Sequence, residues 1–394
     1  MVHTVIVAAA RTPIGSFQGV LSSFQAPQLG ALAIREVVAR AHVDVSEIDH
    51  VIMGCVLTAG LGQAPARQAS IGADLPNTIG ALTINKVCSS GLRAIMLADQ
   101  IIRAGDADVI VAGGMESMTN APYLLPKART GYRLGDGAVI DSMVYDGLRD
   151  AYDGKHMGEH AENCVLKYRF SREDLDAFAI ESYRRAQRAS AEGFFREEIV
   201  PIEIPQAKGM LLRCETDEEP SRVNFDKISS LKPVFKKEGF ITVANASSLN
   251  DGGAAVIVMS EAKAKTFGLT PLVRIVGHAE SSQEPQWYTT APVNAIKAVL
   301  EKTSLSIQNI DIFEINEAFA AVTLAAMKEF HLSADQVNIN GGAVALGHPI
   351  GASGARLVAT ATSLLRRLKK QRAIVTLCNG GGEATAMVLE RMSS

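Results

Sequence analysis

Aromatic side chains are scarce in this sequence, 5% of 394 residues with a single Trp, and cysteine is scarcer still, with only five copies. The cysteines, Cys55, Cys88, Cys164, Cys214 and Cys378, are odd in number, widely spaced and without a CxxC pair. That pattern excludes a disulfide framework and a zinc cluster, and implies free thiols in a reducing compartment. No apolar run reaches the length of a membrane span, and no basic-then-apolar leader precedes the strand-like Thr4–Ala8, so a soluble, cytoplasmic protein is expected. Excess charge is missing too. With 39 basic against 42 acidic residues the net charge is -3, which offers no nucleic-acid footprint and no acidic tail. An anionic ligand must then be met by local positive charge. What the chain does have is apolar substance, 47% of its residues, enough for a large core spread over two or more units.

The chain also repeats itself, at a spacing of 262 to 263 residues. Ala33-Ile34, Val37-Val38, Val43, Val45 and Ile48-Asp49 recur without a gap as Ala295-Ile296, Val299-Leu300, Leu305, Ile307 and Ile310-Asp311. Ser90-Gly91-Leu92-Arg93 is answered by Ser353-Gly354-Ala355-Arg356. Each serine-glycine pair opens an amphipathic helix, and each helix leads to a strand, Val109–Val111 or Ala373–Val375. A repeat this long indicates a duplicated domain rather than a solenoid. Alternating strands and helices imply an α/β fold of mixed sheets covered by helices, with two similar halves about a pseudo-twofold axis. The halves are expected at 1–268 and 269–394. A stretch at about 119–249 has no partner in the second half; turn-rich from Pro122 to Gly154 and helical from Ser171 to about Gly193, it reads as an inserted loop domain that carries substrate contacts.

Four segments hold residues suited to chemistry. Cys88, in Asn85–Gly91, directly precedes a helix, where unpaired N–H groups and the helix dipole favour a thiolate. Through the repeat, His348 in Gly347–Gly354 matches Asn85, three residues before Cys88; if the halves pack symmetrically, both helix starts face one centre, where thiol and imidazole meet as nucleophile and base. Cys378 precedes Asn379-Gly380-Gly381-Gly382, a turn whose backbone N–H groups can serve an oxyanion. Asn316, in Asn316-Glu317-Ala318-Phe319, can hold a water or an oxyanion. Each has a plain alternative: a packed cysteine in the core, a nucleotide loop lacking the usual glycine pattern, or a helix cap at Asn316.

Taken together, NKVCSSGLRA, NEAF, GHPIGASGAR and CNGGG, in this order and spacing over nearly the whole chain, resemble the thiolase family. The resemblance implies a duplicated thiolase fold and an enzyme that joins two acetyl-CoA reversibly into acetoacetyl-CoA and CoA through an acetyl-cysteine. It implies Cys88 as nucleophile, His348 as its activator, Cys378 as acid and base at carbon, Asn316 as holder of a catalytic water, and Gly380 as oxyanion donor with the Cys88 N–H. It further implies His156, Met157 and Ser247 beside the pantetheine, Leu148, Phe235, Ala318 and Phe319 along the tunnel, and Arg222 near the nucleotide end. No metal and no redox cofactor is implied, coenzyme A thioesters being substrates. The only partners expected are those thioesters and further copies of the chain, as a dimer or a dimer of dimers, with no nucleic acid and no membrane.

One departure bears on specificity. Many thiolases carry a Met-Gly-Gly-Pro-like stretch by the acyl pocket, whereas this chain reads Glu284–Thr289, which leaves a degradative enzyme for longer acyl chains as the nearest alternative. A carrier-protein synthase pairs its cysteine with two histidines, and Cys378 stands where the second would be needed. A silent acyl-CoA binding protein would not need Cys88, His348 and Cys378 together.

Overall fold

The run TVIVAAAR forms strand β1 (Thr4–Arg11), buried along almost its whole length, as befits a strand covered on both faces. The computed structural model describes residues 2–206 and 209–392. From β1 it continues through a two-residue β2 (Gly15–Ser16), α1 (Ala26–Ala41), β3 (His50–Gly54), α2 (Pro65–Gly72), β4 (Gly80–Ile84), α3 (Ser90–Ala104) and β5 (Val109–Ser117). Next come the short β6 (Tyr123–Leu124) and β7 (Ile140–Asp141), α4 (Met157–Tyr168), α5 (Arg172–Ala191), and an antiparallel pair, β8 (Ile202–Pro205) with β9 (Leu211–Cys214). The chain then returns to the sheet with β10 (Asn250–Ser260), followed by α6 (Glu261–Thr266), β11 (Val273–Ser282), α7 (Ala291–Thr303), β12 (Ile312–Ile315) and α8 (Ala320–Phe330). Last are α9 (Ala343–Leu346), α10 (Ser353–Arg367), β13 (Arg372–Asn379) and β14 (Glu383–Arg391).

The main sheet runs β12-β13-β14-β11-β1-β10-β5-β3-β4, and its pairing is the same read outward from the middle. On one side β1 and β10 are antiparallel, β10 and β5 antiparallel, β5 and β3 parallel; on the other β11 and β14, β14 and β13, and β13 and β12 repeat that sequence. Both innermost pairs slip register at the same place, between Ile6 and Ala8 and between Ile275 and Gly277. The halves join where Thr4, Val5 and Ile6 pair with Ile275, Arg274 and Val273, so the two mixed sheets expected from the repeat form one hydrogen-bonded path.

Helices α3 and α10 fill a layer shared by both halves. Leu92, Ile95 and Ile102 of α3 join Leu357, Val358 and Leu364 of α10 in one buried cluster with Ile110, Val256, Val375 and Leu389 from the strands. Their starts touch through glycine: a Cβ on Gly91 would lie 2.9 Å from the Ala355 nitrogen, and one on Gly354 would collide with the Leu92 backbone. That mutual approach explains why a serine-glycine pair opens both helices, and it brings both helix starts to one centre.

Between β5 and β10, α5 matches the expected helix and is capped by Ser171, whose side chain accepts from the Asp174 N–H. The rest of that stretch differs from its loop-like reading. Helix α4 buries Met157, Ala161, Cys164 and Val165 against Ala318–Val322 at the start of α8, so the insertion supplies a packed wall.

Candidate active site

Cys88 ends a tight turn between β4 and α3. The Asn85 carboxamide accepts from the Val87 N–H at 2.9 Å, and Ser90 Oγ accepts from the Lys86 N–H at 2.8 Å while donating to the Val87 carbonyl at 2.7 Å. These bonds hold Val87 at a φ of 48°, a left-handed conformation costly for a β-branched residue. Strain next to a nucleophile is maintained only by such over-determination. Lys86 ties the turn to the second half through Glu383, 2.7 Å away, and Glu280, 3.3 Å away.

His348 reaches the same centre from the loop between α9 and α10. Gly347 before it has a φ of 100° and no room for a Cβ against Asn250, whose side chain in turn accepts from the His348 N–H at 2.9 Å. The imidazole's tautomer follows from its partners. Ser353 Oγ donates to the Pro349 carbonyl at 2.9 Å and so accepts, at 2.6 Å, from His348 Nδ1–H. That leaves Nε2 as the basic nitrogen, with Asn316 Nδ2 3.3 Å away as donor. Asn316 follows β12 and is fully buried; α8 starts later, with Phe319 as its N-cap, which removes the helix-cap alternative. Its neighbour Glu317 is structural, accepting from Ser182 Oγ, Asn338 Nδ2 and the Val344 N–H.

Cys378 lies at the end of β13, fully buried, with Gly380 in the turn to β14. Burial pushes the Cys88 thiol up to about 12, even though its own N–H and that of Gly380 both reach the sulfur and pull the other way. The two donors expected to serve an oxyanion therefore already converge on the nucleophile. Burial raises Cys378 well above the thiol range, the neighbouring Cys88 adding to the effect, and it lowers His348 to about 3 with help from the Arg356 charge. Desolvation thus works against a resting thiolate at Cys88 and Cys378 and against an imidazolium at His348.

A cavity of about 470 Å³ opens onto this centre and is lined by Cys88, His348, Cys378 and Gly380. Of the expected substrate contacts, Leu148, His156, Met157, Phe235, Ser247, Ala318 and Phe319 all line it. His156 caps α4, its Nδ1 accepting from the Gly158 N–H at 3.1 Å, so Nε2–H is free; Phe235 stacks on its ring at 4.8 Å and meets Phe319 edge-on at 5.9 Å. Ser247 donates to the Ala318 carbonyl at 3.0 Å. Arg222 is not part of the lining: it sits on the surface after a short turn, 3.5 Å from Glu218.

Several residues emerge only in three dimensions. Tyr288, from the divergent Glu284–Thr289 stretch, is buried in the cavity wall with its hydroxyl donating to the Met157 carbonyl at 2.9 Å. Met118, Met143 and Ile350 complete the apolar wall. Glu116, buried in β5, accepts from the N–H groups of Val56, Leu57 and Gly351 and so links the two halves behind the site; burial pushes it up to about 7. An acid inside the apolar run VIVAGGMES was its signal.

The thiolase N-terminal domain model matches residues 4–262 and the thiolase C-terminal domain model residues 269–391. An acetyl-CoA acetyltransferase of Pseudomonas aeruginosa is 50% identical over 392 residues, 99% of this chain and 100% of that protein. One from Cupriavidus necator is 48% identical over 99% and 100% of the two chains, and a cytosolic one from Gibberella zeae is 48% identical over 98% of each. The crystal structure of the Bacillus anthracis acetyl-CoA acetyltransferase superposes with a TM-score of 0.97 at 40% identity, covering 100% of this chain and 99% of that one.

Proposed function

The chain belongs to the thiolase family, and from that premise we propose that it is an acetyl-CoA acetyltransferase, joining two acetyl-CoA into acetoacetyl-CoA and CoA, and running in reverse by thiolysis. The observation that carries this reading is the convergence of a nucleophilic thiol, a second thiol and a basic imidazole nitrogen on one cavity, with two backbone N–H groups aimed at the first sulfur.

In the first half-reaction Cys88 passes its proton to His348 Nε2 as sulfur attacks the acetyl carbonyl. The oxyanion is received by the N–H groups of Cys88 and Gly380, each donor of this kind contributing about 10²–10³ in rate. Collapse expels the CoA thiolate, which takes the proton of Cys378 and leaves acetyl-Cys88. The Cys378 thiolate then removes a methyl proton from the second acetyl-CoA, while His348 Nε2–H and a water held by Asn316 stabilise the enolate oxygen. The enolate carbon attacks acetyl-Cys88. When the carbon–sulfur bond breaks, Cys88 recovers its proton from His348, so both thiols and the imidazole return to their neutral resting forms. No step calls for a metal or a redox group.

His156, with its free Nε2–H, and Ser247 are placed to meet the pantetheine amides, and Leu148, Phe235, Ala318 and Phe319 to flank it. Arg222 remains a candidate for the nucleotide end. Tyr288 supports a short acyl group, because its hydroxyl is pinned to the Met157 carbonyl and its ring closes part of the wall. We take 1–268, with its insertion at about 119–249, and 269–394 as the two halves. The exposed edge of β4, where Leu82 is 50% exposed, suits pairing with a second copy, as a dimer or a dimer of dimers. No helix among the described residues is long and apolar enough to cross a membrane, and a cytoplasmic location is proposed by analogy with the cytosolic relative from Gibberella zeae.

Incubation with acetyl-CoA should place one acetyl group per chain on Cys88, detected by peptide mass mapping, and thiolysis should fall steeply from acetoacetyl-CoA to longer 3-ketoacyl-CoA. Acetylation mapped mainly to Cys378 would sink the assignment of roles. A rate that holds with chain length would convert the reading to a broad degradative thiolase.

A further inference from the structure

Just before α4, the chain from Arg149 to His156 closes on itself: those two residues form an isolated bridge, and the Asp150 N–H donates to the Lys155 carbonyl at 2.7 Å. Inside this turn Asp150 is 3% exposed. One of its carboxylate oxygens accepts the N–H groups of Tyr152 and Asp153, at 2.8 and 3.1 Å, but the other, Oδ2, is buried without any partner. A carboxylate oxygen left bare in the interior is costly unless something cationic or protic meets it. His160, 2% exposed on the first turn of α4, faces the same point, with Asp153 Oδ1 3.2 Å from its Nε2. Ligand atoms of Asp150, Asp153 and His160 all lie within 4.8 Å of one another. Lys155 engages both oxygens of Asp153, Oδ2 through its ammonium at 2.8 Å and Oδ1 through its backbone N–H at 3.0 Å, so Oδ1 keeps one further lone pair for the centre.

We infer that Asp150, Asp153 and His160 bind a divalent first-row transition-metal ion of the Zn²⁺ class. Two carboxylates with one imidazole make a mixed oxygen and nitrogen set that suits such ions better than Ca²⁺ or Mg²⁺, which take oxygen alone. Asp153 is 38% exposed, so solvent completes the coordination and the ion has a path in. On binding, the ion takes His160 Nε2, with the ring proton carried on Nδ1, and occupies the bare oxygen of Asp150. It clamps the turn to α4, one residue from His156, whose ring lines the cavity. Its role is structural, and the site stands independently of the transferase reading.

The test uses the full chain, kept reduced and stripped with a chelator, then titrated with Co²⁺ and back-titrated with Zn²⁺. One equivalent should bind with the weak visible bands of oxygen and nitrogen ligation, and Zn²⁺ should displace it and raise the melting temperature. Because loss of a supporting partner alone costs about 10–100-fold in metal affinity, His160→Gln and the exposed Asp153→Asn should each weaken binding at least about tenfold. If His160→Gln fails to fold, Asp153→Asn decides. The site is refuted by no binding at millimolar Co²⁺, by an intense sulfur-to-cobalt charge-transfer band that assigns the ion to a cysteine, or by affinity unchanged in the variants.

Discussion

The imidazole of His348 is held neutral by its surroundings, and this makes stability depend on pH in a defined direction. Its folded pKa of about 3 lies below the ordinary 6.5, so between those values the unfolded chain binds a proton that the folded chain does not. Stability present above pH 6.5 is therefore lost as pH falls toward 3. At pH 5 the loss from this one group is on the order of 2 kcal/mol relative to pH 7. Urea unfolding of wild type and His348→Gln at both pH values should show the wild type losing more by about that amount; equal losses would mean that the imidazole is not buried in its neutral form. The two thiols differ in what each must do. Acetylating Cys88 from an activated thioester needs little acid assistance, so Cys378→Ala should still form acetyl-Cys88, whereas deuterium exchange at the acetyl-CoA methyl group should fall about 10²–10⁴-fold. Equal losses in both assays would assign Cys378 a structural role. Cys88, His348 and Cys378 could be picked out of the sequence because they stand beside glycines at element ends, and Asn316 because it directly follows a strand. Glu116 offered one signal, an acid within the apolar run of β5, whereas Tyr288 could not be singled out, since burial, not local pattern, makes it part of the site.

At the scale of elements, the repeat was legible because helices read their neighbours three and four residues away. The match of Ala33–Asp49 with Ala295–Asp311 corresponds to α1 and α7 and the approaches to β3 and β12, and Ser90 and Ser353 open α3 and α10. Strands β10, β11 and β14 and helix α4 were not identified. The buried run of β10 lacks alternation, and the apolar face of α4 is interrupted by Glu162, a buried acid that accepts from the Phe240 and Ile241 N–H groups. The paired glycines are where the element-scale argument can be tested. A methyl group at Gly354 meets the backbone of α3, which cannot yield without moving the nucleophile turn that precedes it. Gly354→Ala should lower stability by roughly 1–3 kcal/mol, an overpacking cost, and depress thiolysis beyond what the loss of folded protein explains. By contrast Gly105, at the C-cap of α3, has a φ of 87° and open space, so Gly105→Ala should cost stability alone, roughly 1 kcal/mol, with unchanged turnover in the folded fraction. Calorimetry with kcat measured on folded protein separates the two. Full activity in Gly354→Ala would mean that the contact between the helices does not position the site.

At the scale of the whole molecule, duplication raises the question of whether each half is a folding unit. The packing argues against it. Leu92, Ile95 and Ile110 from the first half and Leu357, Leu364 and Val375 from the second belong to one buried cluster, so separating the halves would bare the inner face of both. Burying each such side chain contributes about 1.5–3 kcal/mol, so six alone amount to as much as a typical domain's entire net stability. Polar links cross the same boundary: His278 Nε2 lies 3.0 Å from Asp99, and the Gly351 N–H donates to Glu116 at 2.9 Å. The site is split as well, with Cys88 on one side and His348, Asn316 and Cys378 on the other. Unfolding in urea should therefore be one event. Fluorescence of the single Trp287 reports the second half beside the insertion, circular dichroism reports all helices, and thiolysis reports the junction. The three curves should share one midpoint at a fixed protein concentration, and fragments 1–268 and 269–394 expressed apart should lack a cooperative transition. A Trp287 transition displaced from the dichroism curve, or a separate fragment that melts cooperatively, would show that duplication preserved two independent domains and that the shared helical layer is an interface between them.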